Sequence, residues 1–167
     1  LMETLSHESR VGIRPHSRKA FGEDFVWGIS SSAYQTEGAH LADGKGPSIW
    51  DDFTTKKGVI ANGQNGNQAC EFYYRYTEDL HLLKELGIKN FRFSISWSRI
   101  LPNGIGKVNN AGLVYYHNLI EQCLDLGITP WITLYHWDLP LALEKKGGWA
   151  NREIINWFEE FVSLCAR

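Results

Sequence analysis

Residues 86–97 read LGIKNFRFSISW and residues 126–137 read LGITPWITLYHW, so a Leu-Gly-Ile opening and a closing Trp recur 40 positions apart (127 minus 87). Apolar residues at helical spacing precede each block, namely Tyr73, Tyr76, Leu80 and Leu83 in the first and Leu113, Tyr116, Ile120 and Cys123 in the second. Each glycine predicts the left-handed residue that ends a helix, and the apolar residues after it predict a strand. The repeat therefore predicts successive βα units with parallel strands.

The flanking sequence extends this pattern in both directions. Residues 25–29, FVWGI, predict an earlier strand, and a third helix is predicted near the end of the chain. Its apolar face is Ile154, Phe158, Phe161, Val162 and Cys165. Asn67 and Asn151 are predicted to cap the first and third helices. The connection over residues 39–66 is rich in Gly, Asn and Lys and is longer than a linkage requires, which favours a functional loop.

Two α/β architectures begin in this way, the open doubly wound sheet and the (β/α)8 TIM barrel. No G-x-G-x-x-G segment follows any predicted strand, so the nucleotide site of the doubly wound fold lacks its motif and the barrel is preferred. A barrel needs eight βα units, whereas residues 21–167 supply about three, so they are predicted to form its N-terminal part. The remaining barrel is expected on the same or another chain. Residues 1–20 are predicted to be a mobile leader or a segment added during cloning.

Composition narrows the classes of partner. The 167 residues carry a net charge of -2 and show no basic cluster of the kind that binds nucleic acid or an anionic membrane. No apolar run is long enough to span a bilayer, and the N-terminus lacks the apolar stretch of a secretory signal, which together favour a cytoplasmic location. The three cysteines are widely spaced and are expected to be reduced and mostly buried. No metal and no cofactor is expected.

Polar and aromatic residues follow the predicted strands at the end where α/β proteins build their sites. Gln35 follows the first strand, Arg92 lies in the second, and His136 and Trp137 follow the third. An amide, a guanidinium and an imidazole form directed hydrogen bonds with hydroxyl groups, and an indole offers an apolar plate to a sugar ring. These residues predict a carbohydrate site.

Four segments, in order along the chain, resemble family 1 glycoside hydrolases, the β-glucosidase family. They are residues 25–38 (FVWGISSSAYQTEG), 43–51 (DGKGPSIWD), 91–100 (FRFSISWSRI) and 134–140 (LYHWDLP). The resemblance implies a retaining β-glucosidase acting on β-glucosides or oligosaccharides. It implies that Gln35 and His136 bind the sugar with Trp137 beside them, and that Arg92 supports the catalytic nucleophile. Both catalytic glutamates are expected on later strands, in Asn-Glu-Pro and Glu-Asn-Gly motifs that do not occur here.

Structural roles compete with these functional ones. On position alone, His136 at a strand end favours a structural role. Arg92 in an apolar strand needs a partner there, and a structural salt bridge is as consistent with its position as a functional contact. Glu37 and Asp138 are expected to be structural, holding loops through hydrogen bonds to backbone amides. Trp97 is expected to pack in the core, and Asp51 and Asp52 to cap local turns. A non-catalytic carbohydrate-binding half-barrel or partner module remains the alternative function.

Overall fold

A computed structural model of the protein describes residues 18–166, so most of the predicted leader, residues 1–17, lies outside the described residues. Three strands form one parallel sheet in the order β1-β2-β3, with β1 at Ile29–Ser30, β2 at Asn90–Ser94 and β3 at Thr129–Thr133. The register pairs Ser30 with Arg92 and Arg92 with Trp131. The predicted parallel arrangement is confirmed.

Helices alternate with these strands. Three long helices are α3 (Phe72–Glu85), α5 (Asn110–Asp125) and α7 (Ile154–Cys165). Four short helices lie in the connections: α1 (Ala33–Thr36), α2 (Ile49–Phe53), α4 (Trp97–Ile100) and α6 (Leu141–Glu144). Single 3₁₀ turns occupy Arg18–Phe21, Ala42–Gly44, Ala61–Gly63 and Gly148–Ala150. The long connection over residues 39–66 is therefore partly helical.

The predicted glycine stops are confirmed, and neither predicted asparagine cap is found at a cap position. Gly87 and Gly127 follow the last residues of α3 and α5 with φ values of +69° and +71°, where a Cβ would be strained. Asn67 does not cap α3, because Glu71 stands at the cap position in the left-handed conformation and α3 begins only at Phe72. Asn151 does not cap α7 either, because Glu153 stands at that cap position, although Asn151 Oδ1 accepts from the Glu153 N–H at 3.0 Å just before the helix.

The first strand is shorter than predicted. Only Ile29 and Ser30 pair with β2, whereas Phe25 and Trp27 turn towards Phe21. The three rings lie 4.7–5.0 Å apart between centroids, in tilted and edge-on arrangements. Aromatic contacts of this kind are favourable in themselves, and here they replace strand pairing over residues 25–28.

The core lies between the sheet and the three long helices, as the apolar periodicities predicted. Trp97 is fully buried, stacks on Phe161 with ring centroids 4.9 Å apart, and donates its indole N–H to the Gly104 carbonyl at 2.9 Å. Leu80 of α3 and Cys123 of α5 are also fully buried. The three cysteines are free, but only Cys123 is buried, and Cys70 is exposed.

Helix α5 approaches the end of α4 closely at Gly112. A Cβ at this position would overlap the carbonyl oxygen of Arg99, so only glycine permits the approach. Tyr115 and Tyr116 lie three and four residues further on, on the same helical face, and both are buried. The short distance between backbones thus sets the position of two tyrosine rings.

Among the described helices, none is both long and apolar enough to cross a membrane.

Candidate functional site

The carboxyl ends of the three strands meet at one edge of the sheet. The Ser31 N–H donates to the Arg92 carbonyl at 2.8 Å, and the Ile95 N–H donates to the Thr133 carbonyl at 3.0 Å, which aligns the three exits. The Ala33 N–H at the start of α1 donates to Ser94 Oγ at 2.8 Å, so the segment after β1 is fixed to the end of β2. The loops that carry the predicted site residues therefore begin side by side.

Arg92 reaches across all three strands. Its Nε donates to Thr133 Oγ1 of β3 at 2.8 Å, and its Nη1 lies 3.5 Å from Ser30 Oγ of β1. The side chain is exposed, and no carboxylate pairs with it among residues 18–166. Although Arg92 lies in an apolar strand, its side chain is exposed among the described residues, and the hydroxyl groups of Thr133 and Ser30 are its partners there.

His136 and Trp137 follow the end of β3 after Leu134 and Tyr135. Their ring centroids lie 6.0 Å apart, and the indole of Trp137 is 69% exposed. The backbone at Trp137 has a φ of +68°, which is unusual for a bulky residue. The sequence did not predict this conformation.

Gln35 lies on α1, exposed, with its Oε1 accepting from Ser32 Oγ at 2.5 Å. No hydrogen bond in the described part of the chain joins Gln35 to His136 or Trp137. Tyr34, the preceding residue, contacts the long loop: its hydroxyl accepts from the Gly66 N–H at 3.2 Å and lies 3.3 Å from the Trp50 carbonyl. The loop over residues 39–66 is therefore anchored beside Gln35.

A buried ion pair lies behind this edge. Glu37 Oε2 is 3.0 Å from both Nε and Nη2 of Arg99, and Glu37 Oε1 accepts from the Tyr116 hydroxyl at 2.6 Å. The Tyr116 oxygen in turn accepts from the Ser96 N–H at 2.7 Å. Burial, reinforced by the charge of Glu37, raises the pKa of Tyr116 well above its ordinary value, so it remains a donor.

Arg99 is fully buried and was not recognised from the sequence. Burial alone would lower the pKa of its guanidinium, but the charge and hydrogen bond of Glu37, together with Tyr116 and Tyr115, more than offset burial and raise this pKa. The guanidinium carbon lies 4.2 Å from the centre of the Tyr73 ring, which supplies a cation–π contact. Glu37 is structural as predicted, but it pairs with this side chain and not with backbone amides. An Arg within the apolar run SISWSRIL was the available indication.

Asp138 is the second buried carboxyl group at this edge, only 2% exposed. Burial, and next the charge of Glu37, raise the pKa of Asp138 to about 7. Lys45 and the side-chain hydrogen bond from Ser96 oppose the rise. Nearby, Asp51 pairs with Lys45 at 2.9 Å and forms a capping box with Ser48 at the start of α2, which confirms its predicted capping role.

Comparison with known proteins assigns this arrangement to a family. The model of "Glycosyl hydrolase family 1" matches residues 17–167. The chain belongs to this family. Beta-glucosidase A of Thermotoga maritima is 53% identical over 143 residues, which cover 86% of this chain and 32% of that protein. Coniferin beta-glucosidase of Pinus contorta is 52% identical over 151 residues, covering 90% and 29%.

Solved structures agree with the sequence matches. The structure titled "Beta-glucosidase from Thermotoga maritima in complex with glucoimidazole" superposes with a TM-score of 0.82 at 53% identity, over 83% of this chain and 32% of that one. The chain spans about a third of the length of the relatives it matches. Its three parallel strands and their helices are thus the first βα units of a (β/α)8 TIM barrel, as predicted.

Proposed function

We propose that the complete protein is a retaining β-glycosidase that removes terminal, non-reducing β-D-glucosyl residues, and that Gln35, His136 and Trp137 bind the sugar. One observation carries the proposal. An amide follows β1, and an imidazole and an exposed indole follow β3, at the same edge of the parallel sheet, in a chain 53% identical over 143 residues to a β-glucosidase. The amide and imidazole can bond to hydroxyl groups, and the indole can lie against the CH face of a pyranose ring.

The bond-breaking groups of this proposal lie outside the 167 residues. A retaining glycosidase uses two carboxyl groups about 5 Å apart, one to protonate the leaving oxygen and one to form a covalent glycosyl intermediate that water then hydrolyses. Neither Asn-Glu-Pro nor Glu-Asn-Gly occurs in the chain. Glu37 is committed to Arg99 and Tyr116, and Asp138 is buried, so neither is suited to attack a sugar.

Arg92 has the properties of a nucleophile-supporting residue. Its guanidinium is fixed across the strands by Thr133 and Ser30 but has no carboxylate partner among residues 18–166. A carboxylate placed beside this cation would be held ionised at a lower pH than usual. We assign that place to the catalytic nucleophile.

The test is hydrolysis of an aryl β-glucoside by the complete protein, with the product anomer followed by NMR. Retention is expected. Gln35→Ala and His136→Ala should each lower kcat/KM about 30- to 1000-fold, equivalent to about 2 to 4 kcal/mol, because sugar contacts strengthen in the transition state. Their melting temperatures should change little, since neither residue is buried in the core. The exposed Gln68→Ala and His81→Ala serve as matched controls.

Two results would contradict the proposal. Unchanged kcat/KM in both Gln35→Ala and His136→Ala would show that these residues do not bind the sugar and have structural roles only. Sugar binding without any turnover by the complete protein would favour the carbohydrate-binding module instead. The 167-residue chain by itself should show no turnover, because it lacks both glutamates, and activity that depended on Glu37 or Asp138 would refute that expectation.

A further inference from the structure

The unusual backbone of Trp137 needs a cause. Its φ of +68° is unfavourable for any residue with a Cβ. The indole is 69% exposed, so packing of the Trp137 side chain does not hold the backbone there. The conformation must be imposed by neighbouring residues.

The residues after Trp137 are firmly held. Asp138, Leu139 and Pro140 are buried. The Leu139 carbonyl accepts from the Ile49 N–H at 2.8 Å, and the Leu141 N–H donates to the Pro47 carbonyl at 2.9 Å, around an antiparallel bridge between Ser48 and Pro140. The segment is thus tied to the start of α2. Asp138 and Leu139 lie between Trp137 and this bridge, and Asp138 is the one directly after Trp137.

A small polar cavity lies at Asp138. It has a volume of about 10 Å³, close to that of one water molecule. Asp138 Oδ1 and Asp51 Oδ1 are both buried and accept no hydrogen bond from the described residues. Glu37, His40 and Lys45 also line it. No group of three metal-ligating side chains is found in residues 18–166, so a water molecule, with two O–H donors, suits the two oxygens better than a metal ion.

We propose that Asp138 is a positioning residue of the sugar pocket. Its carboxyl group, linked through one water molecule in this cavity to Asp51, holds Trp137 in the left-handed conformation and thereby sets the directions of the His136 and Trp137 rings. The proposal rests on the sugar-binding role proposed above for these two rings. The raised pKa of Asp138 agrees with it, because a neutral carboxyl group also donates one hydrogen bond into the cavity.

A double-mutant cycle in the complete protein tests the backbone part without any sugar. Glycine adopts a φ of +68° without penalty. Trp137→Gly therefore removes the energetic cost of this conformation, which is the cost that Asp138 offsets in the proposal. The loss of melting temperature caused by Asp138→Ala should therefore be markedly smaller in the Trp137→Gly background than in wild type. Equal losses in the two backgrounds would overturn the coupling. Crystal structures of wild type and Asp138→Ala add a direct reading: a water in the wild-type cavity and an altered Trp137 φ in the variant are expected, and an empty cavity or an unchanged φ would refute the link.

Kinetics on an aryl β-glucoside test the sugar part. Asp138→Ala should raise KM about tenfold or more per folded active site, and Asp138→Asn, which keeps the shape, should stay within about threefold of wild type. Asp125→Asn, an exposed acid at the end of α5, is the control. If Asp138→Ala does not fold, Asp138→Val in the Trp137→Gly background replaces it in the stability arm, and Asp51→Asn replaces it in the kinetic arm.

The two proposals fail in different ways. A wild-type protein that hydrolyses no β-glucoside refutes the proposed function, while the cycle still reports whether Asp138 holds Trp137. A coupled cycle with unchanged KM in Asp138→Ala refutes the positioning role while the enzyme remains a glycosidase.

Discussion

Replacing Asp138 with Asn removes a buried ionisable group and nearly preserves the side-chain shape. The pKa of Asp138 is about 7 in the folded protein against an ordinary 3.8, so the folded state binds this proton more tightly than the unfolded state. The stability it contributes is complete below about pH 4 and is lost as the pH rises through about 7. The difference between about 7 and 3.8, at about 1.4 kcal/mol per pH unit, corresponds to about 4 kcal/mol.

Asn cannot ionise, so the variant should escape this loss. The free energy of unfolding of Asp138→Asn, relative to wild type, should rise by about 4 kcal/mol between about pH 4 and about pH 8. Equilibrium urea unfolding of the complete protein, followed by circular dichroism, measures it, with Asp125→Asn as the control. The other ionisable groups that face the cavity are Tyr34, Glu37, His40, Lys45 and Asp51, and they are common to both proteins. A difference that stayed constant with pH would show that Asp138 is ionised in the folded state and would refute the reasoning.

Two further changes separate the site from the scaffold. Arg92→Met keeps much of the side-chain bulk but removes the cation, so the acidic limb of the pH profile of kcat/KM should move to higher pH by about 1 unit or more. The exposed Lys89→Met is the control and should leave this limb in place. An unmoved limb in Arg92→Met would show that Arg92 serves a partner other than the nucleophile. Arg99→Met leaves Glu37 buried and unpaired and should cost about 3 to 5 kcal/mol of stability, measured by urea unfolding. The loss of stability should be smaller when Arg99→Met is combined with Glu37→Gln than in Arg99→Met alone. An equal loss would show that Arg99 stabilises the protein through packing and not through its pairing with Glu37.

The features predictable from the sequence are those set by neighbours along the chain. Gly87 and Gly127 ended their helices as predicted, because a positive φ favours glycine regardless of tertiary contacts. The apolar spacing of α3, α5 and α7 identified their buried faces for a similar reason, since helical periodicity is local. The extent of β1 was not predictable, because the cluster of Phe21, Phe25 and Trp27 competed with strand pairing for the same residues.

Features that depend on distant partners escaped prediction. Arg99 and Glu37 are 62 residues apart in sequence, and neither residue indicates the other. The sequence indicated only a structural role for Asp138. Its burial beside the bridge between Ser48 and Pro140 could not be predicted, because that contact joins residues about ninety positions apart. The hydroxyl partners of Arg92 likewise come from two other strands. Position along a strand indicated where the site lies but not which groups support it.

The contact between Gly112 and the Arg99 carbonyl links the packing of α5 to the buried ion pair of Glu37 and Arg99. The glycine holds α5 at a fixed height, and Tyr116 on the same face delivers its hydroxyl to Glu37 from that height. A single added methyl group at residue 112 would push α5 away from α4 and move the Tyr116 hydroxyl away from Glu37, although residue 112 itself does not contact Glu37. Replacement of the buried Gly112 is therefore expected to disturb the Tyr116–Glu37 hydrogen bond as well as the packing of α5.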